Sequence, residues 1–175
     1  GNGTRYGLYN YLGCSSSDGT GTRYALYSGL STYCDGGPAY AGYFSGNVYV
    51  SGTLTQTSDA RKKQNVQDLN GALGIVAQLQ PKSYDYIQDT DLNLPTEKQY
   101  GFMAQDLEKI LPELVKEVET LGPPSEGTEE GDMGEPEVTG IVKSVNYTAL
   151  IPILVQAIQE QQAEIDALKA ELAKK

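Results

Sequence analysis

The chain has 175 residues, 39% of them hydrophobic, and a net charge of −10 from 13 Lys and Arg against 23 Asp and Glu, with no His and no Trp. That length holds one ordinary domain or two small ones, and the low apolar fraction implies a core that is modest or shared between chains. The charge argues against a nucleic-acid partner, since phosphate contacts need clustered Lys and Arg. No apolar run reaches the roughly 20 residues of a membrane span, and the lack of histidine excludes a Ser/His/Asp triad.

Residues 1–57 carry an imperfect repeat. Gly3-Thr4-Arg5-Tyr6-Gly7-Leu8-Tyr9 is echoed by Gly21-Thr22-Arg23-Tyr24-Ala25-Leu26-Tyr27, and more weakly by Ala39-Tyr40-Ala41-Gly42-Tyr43-Phe44-Ser45-Gly46. Each copy alternates in side-chain type between Gly, Ser or Asp, the pattern of short strands joined by turns. No single copy can bury a face alone, so stacking is expected, as in a β-prism or β-helix stalk. Residues 47–54 continue as a further strand. The chain's 13 Tyr against 2 Phe put hydroxyls on the aromatic surface, which suits half-wet interfaces; structural ladders and a glycan-binding platform both fit that composition. Cys14 and Cys34 occupy matching loops, and both a disulfide and two free thiols remain open.

From Gln67 the period moves toward 3.6, with Leu69, Leu73, Val76 and Leu79 on one face of a helix that Pro81 ends. Residues 83–87 read as a strand and 104–110 as a short helix. Leu114-Val115 and 141–145 are two further strand candidates. Between them lies an acidic stretch, Glu117, Glu119, Glu126, Glu129, Glu130, Asp132, Glu135 and Glu137, which reads as a solvated loop and lacks the alternating ligand spacing of a calcium loop.

The last element is a heptad helix over about 148–175. Ile151, Ile158, Ile165 and Leu172 recur every seven residues, interleaved with Leu154, Gln161 and Leu168, so this helix must associate. Ile at one core position with Leu at the other also suits a parallel dimer, so the heptads alone leave the copy number open. Pro152 is tolerable only in the first turn.

Several blocks, taken in order, resemble the peptidase S74 family, the C-terminal intramolecular chaperones of endosialidase-type phage tailspikes and tail fibres. Ser58-Asp59-x-Arg61-x-Lys63-x-Asn65-Val66 is similar to that family's opening signature. Tyr100-Gly101-Phe102-Met103-Ala104-Gln105-Asp106-Leu107-Glu108, then Pro112-Glu113-Leu114-Val115, Val145-Asn146-Tyr147 and Ala157-Ile158-Gln159-Glu160 follow in its order. Met103 stands where Ile is common, and 120–137 looks like an insertion. The resemblance implies an α+β architecture with residues 1–57 as fibre stalk and 58–175 as chaperone domain ending in a coiled coil. It implies a homotrimer on a virion fibre or bacterial surface, no cofactor and no metal. It also implies autoproteolysis, after which the chaperone is released.

By that resemblance Ser58 is the nucleophile and Lys63 the base of a dyad cutting the Thr57-Ser58 bond, with Asp59, Arg61 and Asn65 as supporting residues. A lysine base must be neutral, which desolvation or neighbouring cations favour; Arg61 and Lys62 stand beside Lys63. Five residues of α-helix turn about 500°, leaving side chains roughly 140° apart. The dyad therefore needs a chain turn, or completion by a neighbouring subunit. The plain alternative is a helix cap at Ser58-Asp59 followed by a solvated basic face.

Overall fold

The computed structural model describes residues 26, 40–44, 46–88, 92–126 and 133–174, with backbone alone at 123–126 and 133–137. The first two repeat copies, Cys14 and Cys34 lie outside the described residues, apart from Leu26. The chain divides into two compact units, Gly1–Phe44 and Ser45–Lys175. The second unit is mixed α/β, with two small sheets and a C-terminal helix.

Residues 47–54 do not form the expected strand; they make no strand pairing among the described residues. Val48, Tyr49, Val50 and Leu54 are all exposed, Tyr49 at 90%. A strand exists only against a ladder partner, and the described residues offer none here.

The first helix of the unit, α1, is Ala72–Val76, shorter than the expected start at Gln67. Gly71 sits just before it in the left-handed region at φ 70°, which a chain already in helix cannot enter without breaking the hydrogen-bond series. Leu69 therefore falls outside the helix and stays exposed. Strand β1, Lys82–Tyr84, pairs antiparallel with β2, Gln99–Gly101, so the expected strand over 83–87 is only three residues long and starts one earlier. A short helix α2, Ala104–Leu107, follows.

The acidic stretch is largely strand rather than loop. β3, Val115–Glu126, and β4, Met133–Val145, form one long antiparallel hairpin. Near the body the pairing is regular from Val115 opposite Val145 to Thr120 opposite Gly140; beyond that, register shifts set Pro124 against Pro136. Neither proline can donate to a ladder, which fits the two shifts that flank Pro124; the first shift, at Thr120/Leu121, precedes them. Thr120 and Thr139 share a hydroxyl bond of 3.0 Å across the strands. Composition suggested a solvated loop because acidic residues have low β-propensity, yet cross-strand pairing overrides that preference.

The final helix α3, Leu150–Leu172, has Pro152 in its first turn, where the missing N–H removes no intrahelical bond. Leu150, Ile153 and Ala157 of α3 join Ala72, Leu107, Leu111, Leu114 and Val115 in the buried core. Leu107, 2% exposed, is the largest of its fully buried side chains.

Candidate functional site

Residues 58–63 make one tight turn. Ala60–Lys62 form a 3-10 helix, with Asp59 before it and Lys63 after it in extended backbone. Lys62 N–H donates to Asp59 O at 3.0 Å and Lys63 N–H to Ala60 O at 3.1 Å. Because the 3-10 turn is tighter than an α-helix and both flanks are extended, the Lys63 side chain returns alongside Ser58. Its Nζ donates to Ser58 Oγ at 2.8 Å within a single chain.

Asp59 and Arg61 are engaged with each other. Asp59 accepts the Arg61 backbone N–H at 2.9 Å, capping the turn, and its carboxylate also receives Nε at 3.1 Å and Nη2 at 2.6 Å. The Arg61 side chain holds the Asp59 carboxyl below its usual range, and the same contact raises Arg61. With its charge matched by Asp59, Arg61 adds little repulsion toward Lys63. Asp59 thus acts on the shape of the turn. Asn65 adopts φ 53°, a left-handed conformation that Asn tolerates better than most residues.

Ser58, Lys63 and Thr57 are all exposed. A cavity of about 150 Å³ lies elsewhere, between Leu79, Phe102, Met103, Asp106 and Ile110. It is smaller than the roughly 300 Å³ at which small-molecule pockets begin.

The sequence model of the peptidase S74 family, the chaperone of endosialidase, matches residues 58–116. Over those residues the chain is similar to the chaperone of endosialidase. That match begins at Ser58 itself and takes in Lys63, the YGF block and Leu114-Val115. The chain is also similar to the long tail fiber protein Gp37 of Enterobacteria phage M1, with 33% identity over 131 residues, 74% of this chain and 45% of that protein. Gp37 of Enterobacteria phage Ox2 shows 34% identity over 128 residues, 73% of this chain and 44% of that protein. An uncharacterized protein of Dictyostelium discoideum is 32% identical over 133 residues, covering 73% of this chain and 11% of that one. The chain thus spans just under half the length of its two phage relatives.

Beyond the matched chaperone-of-endosialidase segment, the heptad residues of α3 occupy a face of their own. Ile151, Leu154, Ile158, Ile165, Leu168 and Leu172 are exposed, Ile158 at 65%, and Gln161 is exposed with them. The side that carries Ile153 and Ala157 packs on the body of the same chain.

Three positioning residues escaped the sequence reading. Glu160 of α3 accepts backbone N–H groups of Ala72 and Leu73 at 3.2 and 2.8 Å, capping a helix whose own cap position is glycine. Tyr147 Oη accepts the Phe102 N–H at 3.0 Å. Lys143 bridges Glu108 at 2.6 Å and Glu117 at 3.8 Å. Glu160, Tyr147 and Glu108 all lie inside blocks quoted above for the family resemblance, which was the available signal. Among the described residues no cluster of His, Cys, Asp and Glu is arranged to hold a metal, and no helix is long and apolar enough to cross a membrane.

Proposed function

We propose that this chain is the assembly end of a fibre protein, whose chaperone domain brings three copies together and then releases itself by cutting the Thr57-Ser58 bond. The observation that carries the cut is the 2.8 Å bond from Lys63 Nζ to Ser58 Oγ, found where the chaperone-of-endosialidase match begins. Assembly is supported by the exposed heptad stripe of α3 and by the two tail fibre relatives.

In this mechanism neutral Lys63 takes the proton of Ser58 Oγ, and the oxygen attacks the Thr57 carbonyl carbon. The C–N bond breaks as the Lys63 ammonium returns a proton to the departing Ser58 nitrogen, leaving an ester between Thr57 and Ser58 Oγ. Water then hydrolyses that ester, giving a Thr57 carboxylate and a new chain starting at Ser58. Lysine is a base only as the neutral amine, and desolvation favours that form. Since both dyad groups are exposed in the single chain, their cover has to come from neighbouring copies. Cleavage would then follow correct assembly.

Stalk strands whose partners lie on other chains gain nothing until those chains meet, and helices that associate early raise their effective concentration. Removing the chaperone afterwards leaves the fibre behind a high unfolding barrier. A permanent, uncut trimeric cap is the second reading, favoured by that same exposure of Ser58 and Lys63.

Denaturing electrophoresis and intact mass of fresh and aged protein separate the two. Autoproteolysis gives fragments 1–57 and 58–175 in wild type and only full-length chain in Ser58→Ala and Lys63→Ala. A native trimer that stays uncut on prolonged incubation leaves the permanent cap standing and removes the protease.

A further inference from the structure

We infer that Arg61 is a positioning residue, whose guanidinium occupies the Asp59 carboxylate and so keeps it from drawing Lys63 away from Ser58. The inference rests on the autoproteolytic reading of Ser58 and Lys63 and adds what leaves the base free.

The turn brings a hazard with it. Lys63 Nζ returns to within 2.8 Å of Ser58 Oγ, and the next residue along is a carboxylate. Asp59 and Lys63 stand four positions apart around one turn, a spacing at which opposite charges pair readily. An ion pair there would harm the dyad in two ways. It favours the protonated ammonium, which cannot accept the Ser58 proton, and it pulls Nζ off the hydroxyl.

The carboxylate is already full. Oδ1 accepts the Arg61 backbone N–H at 2.9 Å and Nε at 3.1 Å, while Oδ2 accepts Nε at 3.1 Å and Nη2 at 2.6 Å. These contacts take up the roughly four lone-pair sites that a carboxylate offers. Lys63 Nζ, by contrast, has Ser58 Oγ as its one partner among the described residues, with no carboxylate at ion-pair distance.

The other charges close to the dyad are Asp59, Arg61 and Lys62, all on its own turn. Among the described residues no hydrogen bond or ion pair joins 58–63 to another element, and residues 60–70 are exposed throughout. Arginine suits the task, because its planar fork takes both oxygens at once and keeps its charge where a lysine acts as base. The cap and the clamp are also separable. The cap uses the Arg61 backbone N–H, so Arg61→Gln keeps the turn and frees the carboxylate. Asp59→Asn keeps a capping oxygen and removes the charge.

The test follows cutting of the Thr57-Ser58 bond in assembled full-length chain, by intact mass against time. Arg61→Gln should slow it about twofold to fivefold, the size of effect that a surface ion pair at Lys63 has. Arg61→Lys should recover part of the rate, and Asp59→Asn/Arg61→Gln all of it. A residue that only shaped the turn would not be rescued by removing the neighbouring charge. A second measurement needs no cutting. In the Ser58→Ala chain, a carbodiimide that joins carboxylates to amines without a spacer should link Asp59 to Lys63 about twofold to fivefold more after Arg61→Gln. Cutting of Arg61→Gln at the wild-type rate, or slow cutting that Asp59→Asn does not restore, overturns the inference. If wild type assembles and never cuts, the autoproteolytic reading falls and the Asp59–Lys63 link decides the clamp: a rise upholds it, and an unchanged yield overturns it.

Discussion

Glu160 and Leu73, 87 positions apart, are joined by a 2.8 Å bond from the Leu73 N–H to the Glu160 carboxylate. The start of α1 points its free N–H groups at a carboxylate supplied by α3, and the helix dipole favours that charge. The Leu73 bond is the main cause of a Glu160 pKa below the ordinary 4.5, with Gln156 adding to it. A depressed carboxylate contributes stability above its unfolded pKa and loses it as pH falls through the folded value. Acid unfolding below about pH 4.5 should therefore be steeper in wild type than in Glu160→Gln. At neutral pH, Glu160→Ala should lower Tm by roughly 3–5 °C. Circular dichroism melts across pH check both.

Gly101 leaves room for Tyr147. A Cβ at Gly101 would overlap the Tyr147 hydroxyl, which accepts the Phe102 N–H and whose ring stacks on Phe102 at 6.2 Å. Gly101→Ala should cost about 1–3 kcal/mol in urea unfolding, by expelling the ring and leaving Phe102 N–H without its acceptor. Tyr147→Phe in the same chain removes the overlapping oxygen. The double variant should be less destabilised than the sum of the two single changes.

Lys143 ties the hairpin to the body. It sits opposite Glu117 in the ladder and reaches Glu108 just past the end of α2. The Glu108 bond raises the Lys143 pKa, a contribution present at neutral pH and lost only as pH climbs through that raised value. Lys143→Ala should speed amide exchange at Val118 and Val142 about threefold to tenfold while α3 amides change little. Equal acceleration everywhere would mean that Lys143 holds the whole domain and not the hairpin.

Lys63→Arg separates the two things Lys63 can do. Arginine still offers N–H donors to Ser58 Oγ but cannot act as a base. The variant should assemble like wild type and remain uncut. Cleavage of Lys63→Arg at the wild-type rate would assign the base to another group.

Much of the candidate site was legible because its signals are local. Ser58, Asp59, Arg61 and Lys63 are close in sequence, and helix geometry excludes a shared α-helix for Ser58 and Lys63, leaving a chain turn or a neighbouring subunit. The 3-10 turn and its Asp59 cap supply that turn. The role assigned to Asp59 toward the dyad was not legible, because its nearest cation, Arg61, outcompetes any other partner. Short-range patterns also misled. Leu69 keeps helical spacing with Leu73, but Gly71 between them takes a left-handed conformation and starts the helix later.

The acidic residues of 117–137 hid a hairpin because charge reports solvation and not pairing. Strand pairing is a property of two segments, here Val115 to Thr120 against Gly140 to Val145. Neither segment alone announces its partner.

By itself the sequence determined the dyad candidates, the heptad of α3 and the family likeness, all set by residue identity and fixed short spacings. Only the tertiary structure decided which side of α3 its own domain covers, which residue caps α1, and how Tyr147 and Lys143 fasten the sheets. Those contacts join residues tens of positions apart, and their partners are chosen by how the core around Leu107 closes, which no local spacing encodes.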